Sequence, residues 1–490
     1  MECEGVKPFY ASSGFLRYLY RFRWVFYQLN ALQRCYPWDL HQFLTLDEVY
    51  ERILKGINEA QRDNAHRLLQ CLTVASRPLR VEEIAELLAF DYRASSSGGV
   101  PNLENWRWDD HEEAILSTCS GLITSVPDGD SRVIQFSHFS VEEYLTSPRL
   151  AQSPCVDVSR FHVDLEAAHT IMAQASLATL LRSDEQDGNS NAKGSPLVKY
   201  AAQYWVEHAQ FEKVSSRVRD GMDDLFDSSK PHFAAWLQVH DMDEEWHQFS
   251  INQGRRGGSH LYYAALCGFY DLAERLITEH PDQVNARGGL NLAPLPAALY
   301  KKHFRLANLL HKHGADVNCR GWLERTPIHS ASMVGSVDIV QWLLNHGADA
   351  NTRGSGGFTP LHWAAYHREI ECVQVLLDHN ANINLQDDCG ITALYNLYWT
   401  TAWKREDTLD TARKLLEHGA DPNIYTKSYS TPLHQASVWG LVEIVRLLLR
   451  YGAKVDAKND AGRTPFQLAA SKGHHQITKL LLEHGAVPPP

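Results

Sequence analysis

Twenty-five histidines and nine cysteines are the residues of this 490-residue chain best equipped for chemistry, yet their spacing argues against it. A zinc site needs clustered ligands, as in His-Glu-x-x-His or paired Cys-x-x-Cys. Neither pattern occurs, and the cysteines stand singly and odd in number, as in a reduced intracellular protein. A serine on a Gly-x-Ser-x-Gly elbow is absent. So is Gly-x-x-x-x-Gly-Lys-Ser/Thr, the loop that cradles a nucleotide phosphate. The sequence therefore predicts no enzyme: no catalytic residue, no cofactor and no metal. A net charge of −12 works against nonspecific nucleic-acid binding. No apolar run reaches the ~18 residues of a membrane span, and Met1-Glu-Cys-Glu4 lacks the order of a secretory leader. A cytoplasmic or nuclear location follows as the expectation.

The histidines do follow a pattern, and it is mechanical. His329, His362 and His434 close the tetrapeptides Thr326-Pro327-Ile328-His329, Thr359-Pro360-Leu361-His362 and Thr431-Pro432-Leu433-His434. Related tetrapeptides start at Thr392 and Thr464, so the intervals between threonines are 33, 33, 39 and 33 residues. Gly314-Ala315, Gly347-Ala348, Asn380-Ala381, Gly419-Ala420, Gly452-Ala453 and Gly485-Ala486 keep the same period with the same six-residue slip. Degenerate copies at Ser259 and Ala293 bring the count to seven repeats.

Each marker positions an element. Thr caps a first helix, and Pro suits its first position. Alanine pairs such as Ala364-Ala365 keep that helix thin. A second helix carries an apolar stripe, as in Ile444, Val445, Leu447 and Leu448. Gly ends it in the left-handed conformation. His313, His346, His379, His418 and His484 lie at that end, where a helix dipole favours positive charge. Asp-x-Asn segments then turn the chain into a hairpin. This pattern resembles the ankyrin repeat over residues 257–487, a family of stacked helix pairs that share one core. The slip falls in the fifth repeat, at 398–409, and reads as a longer loop.

The resemblance implies that partners contact the hairpin tips and the exposed side of the first helices, on the concave face. Carried over by alignment, those positions are Trp322, Leu323, Arg325, Met333, Val334, Phe358, Tyr366, His367, Trp399, Tyr429, Trp439, Arg463 and Lys472. Aromatic residues and Arg dominate interface hot spots. Any single ring could equally pack on the neighbouring repeat.

Upstream, residues 62–138 read as three amphipathic helices and a hairpin, the order of a winged helix. Strands are expected at 122–126 and 132–137 around Pro127-Asp128-Gly129-Asp130. DNA binding is not expected, because Asp109, Asp110, Glu112 and Glu113 crowd the helix that would enter the groove. Phe22-Arg23-Trp24-Val25-Phe26, Leu46-Asp47-Glu48-Val49-Tyr50 and Phe136-Ser137-His138-Phe139 look like the region that follows the ATPase core in fungal NACHT proteins, signal-transducing NTPases of the STAND class. The likeness runs over about 22–240. It implies that His138, in the Phe-x-His position, senses the phosphate of bound ADP. With no phosphate loop present, His138 reads here as vestigial, a buried histidine beside a capping box Ser140-x-x-Glu143.

The expected fold is mostly α: an ankyrin solenoid preceded by a winged-helix and helical region. Its divisions are a helical remnant at 1–60 adjoining a missing ATPase core, a winged helix at 61–150, a helical connector at 151–256, and seven repeats at 257–490. Residues 15–29 are apolar nearly all round and would lie against an ATPase-bearing partner. The expected function is the non-catalytic, ligand-sensing arm of a truncated receptor. The alternative is a nucleotide-regulated signalling switch whose ATPase is supplied by a separate chain or is missing from the gene model.

Overall fold

The structure, a computed structural model, describes residues 45–92, 100–103, 111–182, 195–240, 258–288, 293–397 and 406–488. These group into two compact bodies. One holds the described residues of 1–73, 77–81 and 108–164; the other holds those of 74–76, 82–107 and 165–490. Residues 15–29, Asp109, Asp110 and Trp399, singled out from the sequence, lie outside the described residues.

In chain order come α1 (Leu46–Lys55), α2 (Arg62–Val74), β1 (Leu79–Arg80), α3 (Val81–Leu88), β2 (Phe90–Asp91), β3 (Asn102–Leu103), α4 (His111–Thr118), β4 (Ile123–Asp128), β5 (Ser131–Phe136) and α5 (Phe139–Leu145). Helix, strand, helix, helix and hairpin, with β1 pairing to β5, is winged-helix order. The ladder of β4 and β5 runs further than the sequence suggested, because Gly129, at φ +58°, and Asp130 alone make the turn. Pro127 pairs with Arg132 inside β4, at the sheet edge, where its missing donor costs least.

In the first body Thr45 opens α1 with a reciprocal capping box to Glu48. Its core draws Leu54 from α1, Ala65, Leu68 and Leu69 from α2, Ile115 from α4 and Ile134 from β5. His138 corrects the local expectation. No Ser140–Glu143 box opens α5; His138 is itself the N-cap, half-buried, and its Nδ1 accepts from the Ser140 N–H at 3.2 Å. Ser140 is instead inside the helix, where its hydroxyl meets Tyr50 Oη at 2.7 Å.

Short helices α6 (Pro148–Ala151) and α7 (Val156–Ser159) complete the first body. In the second, α8 (Leu165–Arg182) packs on α9 (Val198–Ala209), followed by α10 (Val214–Arg217), α11 (Arg219–Leu225) and α12 (His232–Val239). Seven helix pairs follow: α13 (His260–Cys267) with α14 (Tyr270–Glu279), α15 (Pro294–Tyr300) with α16 (Phe304–Lys312), α17 (Pro327–Val334) with α18 (Val337–Asn345), and α19 (Pro360–His367) with α20 (Ile370–Asp378). Then come α21 (Ala393–Asn396) with α22 (Glu406–Glu417), α23 (Pro432–Trp439) with α24 (Val442–Arg450), and α25 (Pro465–Ser471) with α26 (His475–Glu483). First helices stack on first and second on second from pair one to pair two and from pair three to pair seven; between pairs two and three side chains make the link, with Trp342 Nε1 donating to Asn308 Oδ1 at 2.9 Å.

The pairs are sealed at their first end. Trp205 of α9 stacks on Phe269 with centroids 5.3 Å apart. Phe233 of α12 lies 4.1 Å from the His260 ring, and Trp236 meets Tyr263 edge-on at 6.4 Å. Stacked repeats need such an end cover, since each leaves one apolar face open.

Two side-chain ladders tie the repeats together. In the first, each tetrapeptide histidine spans two repeats. Nδ1 accepts from its own Thr N–H, at 3.1, 3.2 and 3.1 Å for His329, His362 and His434. Nε2 therefore carries the proton and donates to the next tip, at Phe358 O (3.0 Å), Ile391 O (2.9 Å) and Arg463 O (3.2 Å).

In the second ladder, the Asn of each hairpin donates through Nδ2 to the carbonyl that ends the next second helix. The pairs are Asn318 to Gly347, Asn351 to Asn380, Asn384 to Gly419 and Asn423 to Gly452. Their sequence separations are 29, 29, 35 and 29 residues, so the ladder continues unbroken across the six-residue slip. The slip itself falls on 398–409, of which the structure describes only 406–409, the first turn of α22.

Four of the histidines at second-helix ends share one bond. Nδ1 of His346, His379, His418 and His484 donates to the carbonyl four residues back, at 2.7, 2.9, 2.8 and 2.9 Å.

Candidate functional site

The first-helix layer and the hairpin tips form one side of the array, and the fourth repeat concentrates rings there. Phe358 sits one residue before the capping Thr359; Tyr366 and His367 end α19. Between them, one helical turn in, stands Trp363. Its ring lies 5.4 Å from Phe358, 6.3 Å from Tyr366 and 6.2 Å from His367, the last nearly parallel at 24°. Arg325, from the preceding tip, lays its guanidinium 4.2 Å from the Trp363 centroid, and its Nη1 donates to Met333 Sδ at 3.7 Å. Such a stack of cation and indole is worth about 0.5–2 kcal/mol as water is excluded.

Beside these rings opens a recess of about 340 Å³, lined by Gly356, Phe358, Trp363, Tyr366, Asp387, Asp388, Cys389, Ile391 and Asn396. Its far wall is held rigidly. Asp387, buried, accepts at Oδ1 from the N–H groups of Cys389 and Ile391, both at 2.8 Å. Asn396 donates to His362 O at 3.1 Å, and His362 in turn fixes the Ile391 carbonyl. Burial pushes the His362 imidazole below its ordinary range, so it stays neutral as this bonding requires. Burial, and after it the cations of Arg368 and Arg325, lower His367 too. The wall is thus pre-formed, which spares a ligand the cost of ordering it.

The structure gathers Arg325, Met333, Phe358, Tyr366 and His367 of the expected contact residues into this one cluster. Leu323 and Val334 are exposed, at 40% and 61%. Tyr429 and Trp439, 62% and 38% exposed, lie with Arg463 and Lys472 on the sixth and seventh repeats. The side chain of Trp322 lies outside the described residues. Trp363, the hub, was not among the expected contacts. An indole four residues after the capping Thr, where sister repeats place Ser330, Gln435 and Leu468, was the available signal.

The tips also share a backbone feature. Two residues before the capping Thr, φ is positive in all five regular tips: Glu324 (55°), Gly357 (75°), Gly390 (77°), Tyr429 (53°) and Gly462 (70°). Tyr429 thus keeps an exposed ring on backbone that suits glycine. That ring meets Tyr425 at 6.3 Å, and strain of this kind gathers at binding surfaces.

Among the described residues no helix is long and apolar enough to cross a membrane, and no group of three His, Cys, Asp or Glu is placed to hold a metal ion.

Comparison with known proteins agrees with this architecture. Residues 295–387 and 400–489 match the family model described as ankyrin repeats (3 copies). Residues 50–156 match the model described as GPI inositol-deacylase, winged helix domain. The chain is similar to the azaphilone pigments biosynthesis cluster protein L of Monascus ruber, at 30% identity over 301 residues. That match covers 58% of this chain and 61% of the relative, so it spans less than two thirds of that protein's length. Ankyrin repeats, modules that bind other proteins, thus follow a winged-helix region in this chain.

Proposed function

We propose that this chain is a non-catalytic binding protein that captures a protein ligand on the first-helix side of its repeats. The observation that carries the reading is the Arg325–Trp363–Phe358–Tyr366–His367 cluster around a rigid, ring-lined recess. Aromatic anchors in a pre-formed pocket are what concentrate binding energy at protein interfaces.

The finer reading is that it serves as the ligand-sensing arm of a fungal NACHT-type receptor, within the cytoplasm or nucleus. What supports it is the order of a winged helix, a helical segment and ankyrin repeats, with divisions at 61–150, 151–256 and 257–490. Residues 15–29 would meet an ATPase-bearing partner, and His138 keeps the position, though not the loop, of a nucleotide sensor.

The test compares the full chain with its Trp363→Ala/Tyr366→Ala form. Proteins retained from an extract of the source organism are identified by mass spectrometry, alongside thermal unfolding of both forms. Specific partners should drop at least about tenfold while the midpoint falls by only a few degrees, the shift of about 1–2 kcal/mol expected for half-buried rings. Unchanged capture by a folded variant would remove the recess from the function.

A further inference from the structure

The cations of the tip surface are distributed unevenly. In the third and fourth repeats they are engaged: Arg320 pairs with Glu324 at 3.5 Å, Arg353 with Asp388 at 3.3 Å, and Arg325 covers Trp363. In the sixth and seventh repeats they are not. Lys427, Lys458, Arg463 and Lys472 are all exposed, and among the described residues none has a carboxylate within ion-pair distance. Within the tips 424–430 and 457–463 the one acidic residue is Asp460, whose Oδ1 accepts from the adjacent Ala461 N–H at 2.8 Å.

These four cations share one side with two exposed rings. Tyr429 lies on the sixth tip, which the seventh joins through a bond from Asp460 N to Ser428 O at 3.3 Å. Trp439 and Lys472 occupy matching places at the ends of α23 and α25, which pack together. An eight-residue helix spans about 12 Å, so tips and helix ends bound a strip of about that width. Its make-up contrasts with the whole array, where residues 258–490 hold 22 Lys or Arg against 22 Asp or Glu.

We infer that the sixth and seventh repeats receive an acidic, aromatic-compatible peptide segment of the partner, carboxylates against Lys427, Lys458, Arg463 and Lys472, with apolar side chains on Tyr429 and Trp439. The inference rests on the proposed binding role and names the chemistry of one part of its ligand. A phosphate polymer is the less suited occupant. Its affinity grows with many backbone contacts in a long basic track, whereas the basic surface here is confined to two repeats of an electrically balanced array.

Fluorescence anisotropy on the full chain tests it with three labelled peptides in which Trp alternates with runs of Glu, of Gln or of Lys. The Glu probe should bind about tenfold more tightly than the Gln probe at about 50 mM salt, with the margin shrinking at about 300 mM. Lys427→Gln, Lys458→Gln, Arg463→Gln and Lys472→Gln together should erase that preference. Trp363→Ala should leave it in place. All four side chains are exposed, so the quadruple form is expected to fold, and its circular dichroism melt checks this. Equal affinity for the three probes, total lack of binding included, overturns the inference. So does displacement of the Glu probe by phosphatidylserine vesicles or single-stranded DNA at lower concentration than by unlabelled Glu peptide. In either case the recess on the fourth repeat still stands or falls by the alanine experiment above.

Discussion

Tyr429 holds its ring 62% exposed on backbone at φ 53°, where Gly357, Gly390 and Gly462 stand in sister repeats. A side chain in that region costs about 1–2 kcal/mol, while glycine gives back about 0.5–1 kcal/mol through its freer unfolded chain. Tyr429→Gly should therefore raise stability by up to about 1 kcal/mol and weaken capture of the partner. A rise of the urea midpoint at constant slope checks the first part, and a midpoint that falls would show that the ring packs after all. Residue types at such tips are legible in sequence, and the repeat alignment picked out Tyr429. The positive φ was not legible, since nothing in the local residues Lys427-Ser428-Tyr429-Ser430 demands it; the requirement comes from the hairpin shared with the other repeats.

At the scale of the element, the tetrapeptide histidines join one first helix to the next tip. Each must be neutral, with Nδ1 accepting and Nε2 donating. Burial pushes His329 down to about 4 and lowers His362 and His434 as well. In the unfolded chain these rings titrate near 6.5. Their contribution is thus fully present above about 6.5 and is lost as pH falls through the folded values, because the unfolded state takes up protons first. Urea midpoints of the full chain should decline between pH 6.5 and 4, and more shallowly in His329→Gln. Glutamine can keep the cap: Gln467 occupies the same place in the seventh repeat, its Oε1 accepting from Thr464 N at 3.0 Å. Identical pH slopes for the two forms would remove His329 from the cause. The sequence made the cap readable from Thr-Pro-Leu-His. The bond across to Phe358, 29 residues on, depended on the stacking distance between repeats.

For the molecule as a whole, the end cover on the first repeat governs how the array opens. Trp236, 1% exposed, meets Tyr263 and donates from Nε1 to Ala202 O at 2.9 Å. Trp236→Ala should cost about 3–5 kcal/mol, the range for large rings removed from a core. Stability in stacked repeats is a sum of neighbouring interfaces, so the loss should be local. Hydrogen exchange should quicken in α13 and α14 and stay unchanged in α23 to α26. Uniform acceleration along the array would mean one cooperative unit instead.

Period and caps are properties of short segments, and the sequence by itself determined them: the helix pairs, the Thr starts of five of them and the left-handed ends of six. It also set the order of helices and hairpin in the winged-helix region, because amphipathic spacing and a Gly-Asp turn act locally. What only the tertiary structure decided is which rings meet. Phe358, Trp363 and Arg325 come from two tips and a helix, and their distances follow from how closely one repeat rides on the next. The Asn ladder and the covered first repeat belong to the same class, since a hydrogen bond or a buried ring depends on neighbours that the chain brings together only when stacked.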